Sequence, residues 1–258
     1  MPYEQQQLIV NGIDTAVLTA GEGPPLVFFH GAGMITGFDA LLPLADRFRL
    51  ILPHHPGFGD SGDDPSIDRI EDYVLHYLDL FDQLELDEFS LAGHSLGGYL
   101  AAEFAIYQTA RVRRLVLAAP VGLRVPEHPT VDFFSVADEQ VPETLAADLS
   151  IFEGHVSMPP TPEFLAERYR EATSFARIFW RRSYDVKLPK WLHRLTMPTK
   201  VIWGSADRLI PPAQAEIWAE LLPNAEATTI PGAGHLLFDE SRDAVDAVAR
   251  FVAEEVTV

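Results

Sequence analysis

A serine with glycine two residues before and two residues after it is the first candidate for chemistry in this sequence. Ser95 stands between Gly93 and Gly97, after the apolar segment 89–92 and before a helical pattern at 99–107. A strand that turns directly into a helix leaves little space, and glycine at these two places lets the neighbouring chain pass. Such a turn presents the hydroxyl alone and points the helix amides at it, where they can stabilise developing negative charge. The spacing predicts a nucleophilic serine.

An acid and a base follow later in the chain, each at the end of another strand-like segment. Asp207 comes after the apolar segment 201–203, and His235 comes after a further short strand and the glycine-rich turn 232–234. Serine alone is a weak nucleophile, whereas histidine can take its proton near neutral pH. A carboxylate fixes the imidazole tautomer and stabilises its charged form. We therefore predict that this acid and this base act together with the serine.

The elements that must position these residues alternate between strand and helix patterns. Short apolar runs closed by glycine, proline, histidine or serine are typical of strands buried on both faces of a parallel sheet, and they lie at 26–29, 50–52, 89–92, 115–119 and 201–203. Apolar residues at spacings of three and four predict helices at 70–84, 213–222 and 244–252. Residues 8–10 and 16–18 flank the turn signal of Asn11 and Gly12, which indicates an antiparallel hairpin at one edge. The alternation predicts an α/β fold with a mostly parallel, doubly wound sheet.

The segment 121–195 interrupts this alternation and predicts a helical insertion. It has no strand-turn-helix rhythm and carries many large aromatic residues. Segments of this kind often form lids over sites, although an ordinary helical subdomain is the alternative. We therefore divide the chain into a core of residues 1–120 and 196–258 and a lid of residues 121–195. Within the lid, Trp180 is a predicted substrate contact.

With these elements in place, the chain resembles the α/β-hydrolase superfamily of serine hydrolases over nearly its whole length. The predicted nucleophile, acid and base stand in the chain order of that fold. Residues 28–33, FFHGAG, are similar to the family's HGxG-type loop. This match implies that the backbone N–H groups of Ala32 and Leu96 form an oxyanion hole. We expect His30 to brace the loop rather than to act in catalysis.

A second loop, after the fourth strand, is also similar to the family's pattern. Residues 56–61, PGFGDS, match its glycine-rich turn, which is a structural feature. The sequence departs from the pattern at His54, where the family usually has an acidic residue. His54 and His55 are adjacent and point differently, and no spaced partner completes a ligand set, so no metal site is predicted. No glycine-rich nucleotide motif occurs either, and no cofactor is predicted.

The resemblance implies a cofactor-independent esterase that cleaves a small to medium, largely apolar carboxylic ester through an acyl-enzyme on Ser95. The serine excludes the related dehalogenases and epoxide hydrolases, which carry an aspartate nucleophile at this place. The serine is also present in lactonases, perhydrolases, hydroxynitrile lyases and the carbon–carbon hydrolases of meta-cleavage products. These activities therefore remain alternatives. The carbon–carbon hydrolases are the main alternative, because Arg168 resembles their substrate-carboxylate arginine, although Leu236 replaces the tryptophan that usually follows their histidine. A noncatalytic ligand-binding member of the fold is a further alternative.

Composition excludes several kinds of partner and chemistry. The chain has 38 acidic and 19 basic residues among 258, and its net charge of -19 repels nucleic-acid phosphates and anionic lipid headgroups. It has no cysteine, which excludes disulfides, thiol nucleophiles and thiolate-bound metals. The first residues have neither the basic flank nor the apolar core of a secretory signal peptide. We therefore expect a cytoplasmic protein that acts on a small molecule. The sequence does not distinguish between a monomer and a homodimer as its oligomeric state.

Overall fold

A single sheet forms the centre of the computed structural model, which describes residues 3–33, 35–156 and 160–254. Its strands are β1 (Glu4–Val10), β2 (Ile13–Ala20), β3 (Pro25–Phe29), β4 (Arg49–Pro53), β5 (Phe89–His94), β6 (Val112–Ala118), β7 (Thr199–Gly204) and β8 (Ala225–Ile230). The eight strands lie in the order β1-β2-β4-β3-β5-β6-β7-β8. β2 is antiparallel to both β1 and β4, and the other neighbours are parallel. The predicted α/β-hydrolase architecture is confirmed.

The apolar runs of the sequence became β3 to β7. Every residue of β5 is buried, which places its alternating side chains inside the protein on both faces of the sheet. The predicted edge hairpin is β1 and β2, in which Val10 pairs with Ile13. Asn11 and Gly12 both have positive φ, 52° and 84°, as a two-residue hairpin turn that matches the strand twist requires.

The α-helices are α1 (Ile70–Gln83), α2 (Leu96–Tyr107), α3 (Val141–Leu145), α4 (Pro162–Phe179), α5 (Gln214–Glu220), α6 (Leu237–Glu240) and α7 (Arg242–Ala253). α1 follows its predicted stripe, with Tyr73, Tyr77 and Phe81 buried. α2 begins directly after Ser95, three residues earlier than its apolar pattern indicates. The glycines in its first turn have no side chain and so contribute nothing to an apolar pattern. The helix N-terminus therefore adjoins the serine.

Between β6 and β7 the described residues form α3, α4 and short 3-10 helices. Backbone hydrogen bonds join this segment to the loops beyond β7 and β8, from the N–H of Val131 to the carbonyl of Leu209 at 2.9 Å and from the N–H of Leu236 to the carbonyl of Leu145 at 3.0 Å. The insertion is therefore attached beside the loops that carry Asp207 and His235. Among the described residues, we find no helix that combines the length and apolarity needed to cross a membrane.

Candidate active site

Ser95 occupies a strained turn between β5 and α2. Its backbone has φ 56° and ψ −114°, a combination that residues with a side chain rarely adopt. The turn is held from both sides, because the Ser95 N–H donates to the Ala118 carbonyl at 2.9 Å and the Ser95 carbonyl accepts from Val121 at 3.3 Å. Neighbouring structure thus fixes the strained residue at the carboxyl end of the sheet.

The two flanking glycines are required by close backbone contacts. A Cβ atom on Gly97 would lie 2.1 Å from the Phe29 carbonyl oxygen, and one on Gly93 would lie 2.1 Å from the Gly97 carbonyl oxygen. Both distances are far below van der Waals contact, and the atoms met are backbone atoms that cannot rotate away. The structure therefore contains the steric constraint that the G-x-S-x-G spacing predicts.

Asp207 and His235 form a buried hydrogen-bonded pair. The His235 Nδ1 lies 2.8 Å from Asp207 Oδ2, and the two residues are 2% and 5% exposed. The other carboxylate oxygen, Oδ1, accepts the backbone N–H groups of Leu209 and Ile210, each at 2.9 Å. Since the carboxylate accepts from Nδ1–H, the Nε2 atom of a neutral ring is left as a proton acceptor.

His94 connects the serine's strand to the histidine's loop. Its Nε2 lies 2.8 Å from the His235 carbonyl oxygen, and the two imidazole rings are 4.8 Å apart. Burial lowers the pKa of His94 to about 3, so the ring is neutral and donates its single N–H to that carbonyl. The sequence suggested no partner for His94, and its place directly before Ser95 is the only local signal of this role.

The loop with the predicted oxyanion-hole residue lies against the serine. A Cβ atom on Gly31 would be 3.5 Å from the Ser95 Cβ, which places the half-buried Ala32 beside the nucleophile turn. Leu96 is the first residue of α2, so its N–H has no acceptor within the helix. His30 holds the loop, since its Nδ1 donates to the Gly31 carbonyl at 2.6 Å. The predicted bracing role of His30 agrees with this contact.

His54 and His55 have separate structural partners. His54 accepts the Asp60 N–H on Nδ1 at 2.8 Å, as a carboxylate at this place could also do. His55 donates from Nε2 to the His30 carbonyl at 2.9 Å and accepts on Nδ1 from the Tyr77 hydroxyl. Burial lowers the pKa of both histidines, that of His55 to about 3, which keeps them neutral. Within residues 3–33, 35–156 and 160–254, no group of three or more histidine and acidic side chains is arranged to hold a metal ion.

The two predicted lid contacts lie in different surroundings. Arg168 is in α4, where its guanidinium pairs with Glu171 at 2.7 Å and with Glu167 at 2.9 Å. Glu171 is only 2% exposed, so the arginine neutralises a buried carboxylate. Trp180, at the end of α4, is 71% exposed and its ring lies 5.2 Å from that of Phe134. Neither side chain makes a described contact with the serine, acid or base.

Two acids directly follow the histidine loop. The Glu240 carboxylate accepts the N–H groups of Gly234 at 2.9 Å and Ala147 at 3.1 Å, which joins the histidine loop to the insertion. Asp239 and Thr36 line the same small cavity. The contact between Glu240 and Ala147 joins residues 93 positions apart in sequence, and no local pattern predicted it.

Comparison with known proteins agrees with this arrangement. The sequence model described as the Alpha/beta hydrolase family matches residues 26–250. The pimeloyl-[acyl-carrier protein] methyl ester esterase of Legionella pneumophila (strain Lens) is 28% identical, over 84% of this chain and 90% of that protein. The 2-hydroxy-6-oxo-6-(2'-aminophenyl)hexa-2,4-dienoic acid hydrolase of Metapseudomonas resinovorans is 24% identical, over 99% of this chain and 93% of that protein.

Solved structures share the fold. A serine hydrolase involved in carbazole degradation superposes with a TM-score of 0.81 at 23% identity, covering 97% of this chain and 99% of that one. A bacterial membrane phospholipase A superposes with a TM-score of 0.80 at 19% identity, covering 97% and 86%. At these identities the likeness concerns the fold. The match to the family model covers most of the sequence, and the chain therefore belongs to the alpha/beta hydrolase family.

Proposed function

We propose that this protein is a cofactor-independent carboxylesterase that cleaves small to medium, largely apolar esters through an acyl-enzyme on Ser95. His235 serves as the general base and acid, and Asp207 orients it. The backbone N–H groups of Ala32 and Leu96 stabilise the oxyanion. The observation that carries the proposal is the buried hydrogen bond between His235 Nδ1 and Asp207 Oδ2, in a loop that His94 ties to the strand end before Ser95.

Each step of the proposed reaction uses an atom of these residues, of the ester or of water. His235 Nε2 takes the hydroxyl proton as the Ser95 Oγ attacks the ester carbonyl, and the two backbone N–H groups receive the negative charge. His235 then gives the proton to the leaving alcohol, which leaves the acyl group on the serine. A water molecule, deprotonated by the same histidine, attacks the acyl-enzyme and releases the acid. Asp207 remains ionised and stabilises the imidazolium that forms in each half-reaction.

The proposed esterase activity is supported by the esterase relative and by the surroundings of Arg168. In the alternative, a carbon–carbon hydrolase of a meta-cleavage product, Arg168 would bind the substrate carboxylate. Its guanidinium already pairs with Glu167 and Glu171, and a substrate carboxylate would have to compete with the buried one. The alternative keeps its own support, because the relative from Metapseudomonas resinovorans is a hydrolase of a dienoic acid.

The test compares the wild-type chain with Ser95→Ala on nitrophenyl esters of graded acyl length and on a vinylogous diketo acid. We expect the wild type to hydrolyse the esters, with activity rising severalfold per added carbon until the pocket is full, since each buried methylene contributes about 0.8 kcal/mol. Ser95→Ala should lose at least about a thousandfold, as removal of such a nucleophile does elsewhere. Ser66→Ala, at an exposed serine, is the matched control and should keep full activity.

A fluorophosphonate probe separates the remaining possibilities, because it labels only an activated serine. Labelling of the wild type and not of Ser95→Ala is the expected result. An unlabelled wild type would overturn the proposal in favour of a binding protein. Faster turnover of the diketo acid than of every ester would overturn it in favour of carbon–carbon cleavage.

A further inference from the structure

A small cavity lies beside the nucleophile turn, on the side of the histidine loop. Its volume is about 40 Å³, which is room for a few non-hydrogen atoms. One wall is the loop that carries the predicted oxyanion-hole residue, and the other is the segment after His235; the lining includes Gly31, Gly33, Phe38, Leu236, Phe238 and Asp239. His94, which precedes the nucleophile, completes the floor. The cavity therefore adjoins both the serine's turn and the histidine's loop.

One charged group faces this cavity. Among its described lining residues, which include Thr36, Asp239 is the one with a carboxyl group. The two lining histidines cannot supply a counter-charge, because burial lowers the pKa of both His30 and His94 and leaves their rings neutral. Burial raises the pKa of Asp239 to about 6, so the carboxyl is mostly ionised at about pH 7.5. At that pH the cavity offers a hydrogen-bond acceptor with negative charge.

The position of the cavity indicates which half of an ester would enter it. In the proposed mechanism His235 protonates the leaving alcohol, so the alcohol must lie on the histidine side of the reacting carbonyl. Leu236 and Phe238, which follow this histidine, form that wall of the cavity. The small volume matches a short alcohol.

We propose that this cavity is the subsite for the alcohol portion of the substrate, and that Asp239 selects esters of short hydroxylated alcohols and rejects alcohols that carry a carboxylate. This inference rests on the proposed function. The carboxylate accepts a hydrogen bond from a hydroxyl of the alcohol, a charge-assisted contact that a plain alkyl group cannot make. An acidic alcohol would instead place two negative charges within a partly buried space.

The experiment uses three butyrate esters of similar size: 2-hydroxyethyl, propyl and carboxymethyl butyrate. All three form the same acyl-enzyme, so differences in kcat/KM arise before the alcohol leaves. Comparing each ester between wild type and variant cancels its intrinsic leaving-group reactivity. At about pH 7.5 we expect the wild type to favour the hydroxyethyl over the carboxymethyl ester by about tenfold or more in kcat/KM. Asp239→Asn should bring the two within about threefold and change the propyl ester little. Asp243→Asn, at an exposed acid on α7, removes the same charge and should leave the preference intact.

Binding is measured in parallel, by NMR titration of the Ser95→Ala variant with the hydroxyethyl and carboxymethyl esters. We expect the hydroxyethyl ester to bind more tightly, and the additional Asp239→Asn substitution to remove the difference. Hydrolysis with a preference that Asp239→Asn leaves unchanged would overturn the subsite while the proposed function stands. Failure to hydrolyse any of the esters, together with a binding preference that depends on Asp239, would overturn the function and leave the subsite. Equal binding of both esters to Ser95→Ala would overturn the subsite in either case.

Discussion

At the residue scale, the two carboxylate oxygens of Asp207 have different hydrogen-bond partners. Oδ1 accepts the backbone N–H groups of Leu209 and Ile210, and Oδ2 faces the Nδ1 of His235. Because Oδ1 is held by two amides, the carboxylate cannot rotate freely, and its other oxygen is fixed toward the imidazole. An amide at this position would therefore keep its oxygen on the backbone and turn its NH₂ group to His235.

Asp207→Asn should consequently stabilise the wrong tautomer of His235, with the proton on Nε2, where it cannot accept the serine proton. We expect kcat to fall by roughly 10⁴, as the same change does in a serine protease, with little loss of folding stability. Adding His235→Ala should cost hardly more than His235→Ala alone, since the residues act as one unit. Steady-state kinetics with thermal melts measure both.

Glu240→Gln is the matched control at the residue scale, because Glu240 also lies near His235 in sequence but, among the described residues, accepts only backbone N–H groups. A glutamine oxygen can accept those N–H groups too, so most of the turnover should remain. If Glu240→Gln abolished turnover and Asp207→Asn did not, the assignment of the acid would be wrong.

At the element scale, α4 is held to the loop after β4 by a set of polar contacts that we call the α4 clamp, formed by Gly59, Asp63, Asp64, Glu171 and Arg177. Arg177 donates to the Asp64 carbonyl at 2.8 Å and pairs with the Asp63 carboxylate. Glu171 accepts the Gly59 N–H at 3.1 Å. These contacts fix the longest helix of the insertion against the core.

Arg177→Met tests the α4 clamp, because methionine keeps an apolar stem and removes the guanidinium. We expect amide hydrogen exchange within α4 to become severalfold faster while exchange in α1 stays unchanged, as a locally loosened element would behave. A rise in KM for the preferred ester should accompany it. Arg181→Met, at an exposed arginine just beyond α4, changes the net charge equally and should have neither effect. Equal exchange rates in both variants would mean that other contacts hold the helix.

At the scale of the whole molecule, a net charge of -19 makes buried carboxylates costly. Glu103 on α2 is 7% exposed, and burial raises its pKa to about 7, with a further contribution from Glu71 and Asp185. Because this pKa lies above the ordinary value, the folded chain holds the proton more tightly than the unfolded chain does. The favourable contribution of Glu103 is present below about pH 4.5 and is lost as the pH rises to about 7.

Glu103→Gln should therefore stabilise the protein at about pH 8, by roughly 1 to 3 kcal/mol, because the neutral side chain never needs to be buried as an anion. The gain should shrink toward pH 4.5, where the glutamate is protonated in both states. Urea unfolding across this pH range measures it. Glu220→Gln, at an exposed acid on α5, should show no comparable pH-dependent gain. A gain independent of pH would contradict the role of ionisation.

The sequence by itself determined the fold and singled out Ser95, Asp207 and His235 as candidate catalytic residues, because the signals of both are local. Burial on both faces of a strand leaves an unbroken apolar run, and β3 to β7 formed where such runs lie. The close approach at Gly93 and Gly97 allows only glycine, so the strained turn at Ser95 could be found from five letters. The hydrogen bond between Asp207 and His235 followed from their places at strand ends on one edge of the sheet. The lid boundaries, the catalytic roles of the serine, acid and base, the oxyanion hole and the substrate contacts remain predictions.

Only the tertiary structure decided which charged and polar side chains pair with which partners. Arg168 was predicted to bind substrate, yet it pairs with the buried Glu171 one helical turn away, and the burial of Glu171 depends on how α4 packs on the core. His94 reaches the His235 carbonyl across 141 residues of sequence, and Asp239 and Thr36 line the same cavity. Such contacts depend on which loops lie together at the end of the sheet, and the spacing of residues along the chain does not predict this.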